Sequence, residues 1–281
     1  MTALLLAVAS VHFETTLAKQ NQPNTIALHL EFVRRTQVGL AVLTVKDVKL
    51  GRQTSTIHVI LSQGDREEVM GYITNSNMHT ESGLTLDTGF TLHPAPRPAF
   101  VDRLRQDNDP HWQLQKDMPF ADFRKASQKV KCFLPREGQH HRSMADEWIT
   151  FANGERFTDV SLGYVADTWP QLVESYVQES TLSDRTSGSE VRDKGKGGTG
   201  FWYPTLLLNL DVKKALSVEG VEFLFVRVRA KAIKRGRLDL EVVILDEEGD
   251  IVALSHQVSL ILDASRNMAA RSSESDKRSQ L

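Results

Sequence analysis

The chain repeats itself, and that repeat excludes most architectures. Thr25-Ile26-Ala27-Leu28-His29-Leu30-Glu31-Phe32 has a counterpart in Thr205-Leu206-Leu207-Leu208-Asn209-Leu210-Asp211-Val212. Lys49-Leu50-Gly51-Arg52 corresponds in the same way to Lys234-Arg235-Gly236-Arg237. Around these anchors the two units share one order of segments. The first has a helix-like stretch over about 2–20, then strand-like runs over 25–32, 40–50, 54–61 and 68–75. The second has a helix-like stretch over about 161–177, then strand-like runs over 205–212, 221–233, 238–245 and 251–262. Each unit closes on a hairpin, turning near Gly64-Asp65 and near Gly249-Asp250. The alternation Val226-Arg227-Val228-Arg229-Ala230-Lys231-Ala232 suits antiparallel strands with one wet face. One helix followed by long antiparallel strands implies an α+β layer in which a sheet wraps the helix. Two such units in tandem would pair like the subunits of a symmetric dimer.

The first unit spans 1–92. A linker read from Leu92-His93-Pro94-Ala95-Pro96-Arg97-Pro98 occupies 93–122, the second unit 123–264, and a disordered polar tail 265–281. The stretch 125–159 adds opening strands and an Asn153-Gly154 turn to the second unit. The first has no such lead-in, so it reads as shortened and short of an edge strand. Pro170 falls inside the second helix-like span and must kink it or mark its first turn. The stretch 183–200 is rich in Gly, Ser and charge and resists structure.

Composition removes several function classes. A chain of 281 residues with a net charge of −2 and 40% hydrophobic residues is globular, and offers neither nucleic acid nor an anionic membrane an electrostatic reason to bind. Cys132, the single cysteine, cannot form an intrachain disulfide; in an alternating strand-like run it reads as a buried thiol. The apolar run Ala3-Leu4-Leu5-Leu6-Ala7-Val8-Ala9 continues through Val11, Phe13 and Leu17 as an amphipathic helix rather than a signal peptide. The cytoplasm is the expected compartment. Ser279-Gln280-Leu281 only loosely resembles the peroxisomal Ser-Lys-Leu address, and a solvated tail is the simpler reading.

Familiar motifs fail on context. Gly195-Lys196-Gly197-Gly198-Thr199-Gly200 satisfies the dinucleotide fingerprint in letters, but a polar loop precedes it and a strand follows, where that motif needs a strand and then a helix. There is no Gly-x-Ser-x-Gly elbow. His140 and His141 lie in a polar turn without metal-ligand spacing. The informative residue is Asp167, a carboxylate interrupting the apolar run Leu162-Gly163-Tyr164-Val165-Ala166-Asp167-Thr168-Trp169. Its counterpart in the first unit is about Ser10. A duplicated fold with one ionisable centre suits a single-site enzyme; a helix cap is the structural alternative.

From about 2 to 263 the chain resembles the acyl-CoA thioesterase II type of double-hotdog protein, especially its fungal thioesterase-like relatives. Gln22-Pro23-Asn24-Thr25 through Arg35 is similar to the family's first helix-to-strand passage. The resemblance implies a catalytic Asp, Thr and Gln from the second hotdog. They match Asp167 in Val165-Ala166-Asp167, Thr205 in Tyr203-Pro204-Thr205, and Gln257 in Val252-Ala253-Leu254-Ser255-His256-Gln257. The family's His just after the Thr is replaced by Leu207-Leu208. The implied activity is hydrolysis of an acyl-CoA or acyl-carrier thioester. Asp167 would activate water, Thr205 and Gln257 would hold it, and N–H groups at the start of the second helix would polarise the carbonyl. CoA would enter as part of the substrate, with no separate cofactor and no metal. Arg34, Arg35, Lys213 and Lys214 are candidates for its phosphates, and Trp169, Phe201 and Trp202 for the acyl path. A homodimer is among the expected assemblies. Two other readings are a hotdog dehydratase or hydratase, which the lack of a His on the second helix disfavours, and a non-catalytic double hotdog serving a polyketide or fatty-acid pathway.

Overall fold

The structure, a computed structural model, describes residues 1–116, 125–170, 172–177 and 201–263. The fingerprint-like glycines, the stretch 183–200, and the tail with its Ser-Gln-Leu end lie outside them.

The first half opens with α1 (Thr2–Thr15). Its Leu5, Leu6, Ala9 and Phe13 recur on one face and are buried. Four antiparallel strands follow: β1 (Asn24–Phe32), β2 (Val42–Lys49), β3 (Ser55–Gln63) and β4 (Arg66–Ser76). The next elements are α2 (Val101–Arg105) and β5 (Trp112–Leu114), then β6 (Val130–Pro135) and β7 (Met144–Phe151). The second half continues with α3 (Leu162–Asp167), α4 (Glu174–Val177), β8 (Phe201–Trp202) and β9 (Thr205–Val212). It ends with β10 (Leu224–Arg229), β11 (Ile233–Lys234), β12 (Arg237–Leu245), β13 (Ile251–Leu260) and β14 (Leu262–Asp263).

One antiparallel sheet carries both halves, in the order β2-β3-β4-β1-β9-β13-β12-β10-β7-β6-β5, with β11 on β12 and a separate pair β14-β8. The order β2-β3-β4-β1 is mirrored by β10-β12-β13-β9, so corresponding strands occupy corresponding places. The join is the repeat itself: β1 pairs β9, with Leu28 opposite Leu210, His29 opposite Asn209 and Leu30 opposite Leu208. In the sequence alignment His29 and Asn209 are counterparts, so the pseudo-two-fold axis passes between them. Their side chains meet there, His29 Nδ1 lying 2.7 Å from Asn209 Oδ1. This is the tandem pairing expected from the repeat, and the double hotdog that the family resemblance implied. α1 lies on the concave face in a core continuous with Leu208, Leu210, Leu240 and Val242 of the second half.

Beyond β10 the second half adds β7, β6 and β5. Among the described residues nothing pairs with the outer edge of the corresponding β2.

The described part of the interval read from its prolines as a linker, residues 93–116, holds packed structure. Leu104 of α2 and Trp112 of β5 are fully buried with Phe133, Trp148, Phe223, Phe225, Val243 and Leu245 in a second core on the opposite face of the sheet. Trp112 Nε1 donates to the Pro98 carbonyl at 3.0 Å, and Asp109 accepts from the backbone N–H groups of Phe100, His111 and Trp112. The expectation of one wet face around Arg227 is therefore corrected. Arg227 lies on the covered face, where a bidentate pair with Asp146 at 2.6 Å and the Pro94 carbonyl satisfy its guanidinium. Both faces of β7 are buried, as is most of β10, so Asp146, Glu147 and Arg227 lie inside the protein. No described helix is long and apolar enough to cross a membrane.

Removing one partner of a buried ion pair strands the other charge, at about 3–5 kcal/mol, whereas an exposed pair contributes about 0–1 kcal/mol. Arg227→Ala is therefore expected to lower the urea midpoint severely. Arg105→Ala, which breaks the surface contact with Glu222, should leave it nearly unchanged.

Candidate active site

The second helix is short because of its own sequence. The residue before a proline is pushed out of the helical region, so Trp169 before Pro170 bars continuation. The chain leaves the helix at Thr168, already extended at φ −103° and ψ 100°. The helix expected over 161–177 is thus two pieces, α3 and α4, and Pro170 separates them rather than kinking one rod or opening a turn.

Two consequences follow for Asp167. It is the last residue of α3, so the start of that helix lies more than a turn away. N–H groups there do not serve a carbonyl beside Asp167, contrary to expectation. Asp167 also sits where α1 crosses α3. A Cβ on Gly163 would come within 2.8 Å of Leu6 Cδ1 and 2.9 Å of the Ala3 nitrogen, so only glycine permits this approach. The approach brings the buried Thr2 hydroxyl to 3.5 Å from Asp167 Oδ2, so a residue of the first half touches the second half's carboxylate. Ser10, the positional counterpart of Asp167, is on an outer face of α1 and donates to Glu14 at 2.8 Å. The buried carboxylate belongs to one half only.

Asp167 keeps a partial opening to the surface while its carboxylate is enclosed by protein. Desolvation raises its pKa above the ordinary value, against smaller opposing effects from the Met1 amine and the Thr2 hydroxyl.

Gln257 comes from β13, whose helix-facing positions are unusual. Leu208 and Leu210 on one neighbour and Leu238, Leu240 and Val242 on the other are apolar, yet β13 places Ser255, Gln257 and Ser259 between them, all buried. Ser255 donates to the Asn209 carbonyl at 2.7 Å. Gln257 Nε2 donates to the Ala166 carbonyl at 2.6 Å, tying it to the residue before Asp167. Gln257 Oε1 and Ser259 Oγ are buried without a hydrogen-bond partner among the described residues.

Thr205 opens β9. A register shift between Val258 and Ser259 sets Thr205 opposite Ser259, turning it toward the helix side of the sheet. The structure therefore joins Gln257 to the Asp167 segment and places Thr205 one strand away on the same side. No hydrogen bond links Thr205 to either among the described residues. Leu208 is buried directly opposite Gln257.

The surrounding candidates divide. Trp169 is buried edge-to-face on Tyr203 at 5.7 Å, and Phe201 and Trp202 form β8 beside it. Lys214 is held by Asp246 at 2.5 Å and Asp250 at 2.8 Å, which raises its pKa and occupies its charge; Arg34 donates to the Glu67 carbonyl. His140 and His141 are exposed, and no group of three potential metal ligands occurs among the described residues. Cys132 is buried, as its strand position implied. Of these features, sequence reasoning missed Thr2 and Ser259. Thr2 carried no signal, whereas Ser259 at a core-facing position of an apolar strand did.

A carboxyl group with a pKa raised by folding binds more protons when folded than when unfolded, between its two pKa values. Stability then falls as pH rises through that window, and the full penalty applies above it. Asp167→Asn is accordingly expected to melt higher than the parent at neutral pH. That advantage should shrink as the pH drops toward the ordinary carboxylate range, as read by thermal unfolding across pH.

Comparison with known proteins agrees with this architecture. Residues 1–76 match the model of the acyl-CoA thioesterase N-terminal domain, and residues 94–261 that of the acyl-CoA thioesterase C-terminal domain. The thioesterase-like protein TwmA of Talaromyces wortmannii is 35% identical over 303 residues, covering 98% of this chain and 86% of that protein. A hot dog fold protein of unknown function from Alicyclobacillus acidocaldarius superposes with a TM-score of 0.56 at 14% identity, over 85% of this chain and 78% of that one. The acyl-CoA thioesterase II TesB2 of Mycobacterium marinum gives 0.53 at 14% identity, over 86% and 82%. With both domain models matched in order along one continuous sheet, the chain belongs to the acyl-CoA thioesterase family of double-hotdog proteins.

Proposed function

We propose that the chain hydrolyses the thioester of an acyl-CoA or acyl-carrier substrate at the Asp167–Gln257 centre. The observation that carries this reading is the pairing of a desolvated carboxylate with a buried carboxamide that has one atom to spare. Gln257 Nε2 is committed to the Ala166 carbonyl, so its Oε1 is oriented and free to accept a hydrogen bond beside Asp167. A water between them would donate one proton to Asp167 and the other to Gln257, leaving a lone pair for the carbonyl carbon. Thr205, on the same side of the sheet, is the third group in reach of that water.

The attacking water loses a proton to Asp167 as its oxygen bonds to carbon. The tetrahedral intermediate then collapses, the C–S bond breaks, and the sulfur leaves as the thiol with the proton held by Asp167. The products are a carboxylic acid and the free thiol of CoA or the carrier. CoA is consumed as part of the substrate, and no separate cofactor or metal is called for. The aromatic wall of Trp169, Tyr203 and Phe201 suits the acyl chain.

A base must be ionised to act, so a raised pKa moves the acid limb of the rate profile upward. Purified protein offered acyl-CoAs of graded chain length is expected to release free thiol. The acid limb of kcat/KM should lie above the ordinary carboxylate range. Asp167→Asn should lower kcat/KM by about 10²-fold or more and flatten that limb. Folded protein that releases no thiol from any member of the panel, with carrier-bound thioesters included, would instead favour a non-catalytic accessory role.

A further inference from the structure

Hydrolysis needs one group not yet accounted for, a hydrogen-bond donor for the carbonyl oxygen as it becomes negative. Asp167 as a carboxylate and Gln257 Oε1 only accept, Gln257 Nε2 is already spent on Ala166, and the Thr205 hydroxyl is assigned to the water. The helix α3 ends, rather than begins, at Asp167.

Ser259 has what is missing. It follows Gln257 by two residues on β13, shares its helix-facing side, and is fully buried between Leu238 and Thr205. Its hydroxyl meets no hydrogen-bond partner among the described residues. An unpaired hydroxyl in a core is costly, and such exceptions to polar satisfaction concentrate where function requires them. Its position is also right. The segment carrying Asp167 is tied to β13 through Ala166 and Gln257. It then reaches Tyr203 through Trp169, two residues before Thr205, the strand partner of Ser259. Asp167 thus lies on the stretch that passes above the Gln257-to-Ser259 stripe.

We infer that Ser259 Oγ donates its hydrogen bond to the thioester carbonyl oxygen and holds the oxyanion of the tetrahedral intermediate. This rests on the hydrolase reading above, and deepens it by separating the donor that stabilises the oxyanion from the acceptors that hold water.

The test combines kinetics and stability in Ser259→Ala. Loss of an oxyanion donor is expected to lower kcat about 10²–10³-fold with KM little changed. Because alanine removes an unpaired buried hydroxyl, the melting temperature should stay level or rise. Ser259→Cys, similar in size with a weaker donor, should fall between parent and alanine in kcat. A parental kcat in Ser259→Ala beside an inactive Asp167→Asn overturns this inference and leaves the hydrolase reading standing. A loss confined to KM, or one that tracks a lowered melting temperature, overturns it too, by assigning Ser259 to ground-state binding or to structure. An unmodified protein that is folded yet inactive on every thioester removes both.

Discussion

The pairing of β1 with β9 is the contact on which the rest depends. Each half by itself has a sheet with an open edge along the strand that follows its helix, and open edges recruit partners. Joining those two edges across the His29–Asn209 axis makes one sheet from two, and gives both helices a common concave face. With that face shared, α1 and α3 come close enough to touch. At Gly163 the contact is so close that a single added carbon would collide with backbone and side chain of α1. Asp167 acquires its enclosure from this crossing, which neither half could supply alone.

The second dependence is polar. An apolar sheet face tolerates few hydrogen-bonding groups, yet β13 carries Ser255, Gln257 and Ser259 at successive inward positions. Ser255 is satisfied by the Asn209 carbonyl, and Gln257 is half satisfied by the Ala166 carbonyl. The atoms left unpaired among the described residues of this strand are Gln257 Oε1 and Ser259 Oγ. A sequence selected only for stability would place valine or leucine there, as β12 does at all three opposite positions and β9 at two. Local disagreement with the rules of packing marks the site more sharply than any single motif.

Much of the strand layout was legible beforehand. The repeat and the strand spans 25–32 and 205–212 follow from period-two alternation and turn residues, which are local properties. What misled was also local. Prolines at 94, 96 and 98 suggested a linker, but a proline carbonyl accepts hydrogen bonds as well as any other, and two of these carbonyls anchor Arg227 and Trp112. The alternating arginines of β10 suggested a wet face, although Arg227 is neutralised by Asp146 from a strand far away in the sequence. Pro170 was read as a kink or a first turn, whereas it separates two short helices, and the apolar residues beyond it were credited to the first of them.

Sequence alone determined the repeat, the α+β class and the lone carboxylate of Asp167, because these depend on near neighbours and on comparing one half with the other. Thr205 and Gln257 were named by the family resemblance, and the register that puts His29 against its own counterpart came from the structure. Only the tertiary structure decided which groups surround Asp167, that Thr2 reaches it, that Gln257 spends its amide on Ala166, and that Ser259 is left with an unpaired hydroxyl. Those are matters of distance between segments far apart in the chain. Such distances are set by how a sheet twists and where a helix lands on it, and no window of neighbouring residues encodes them.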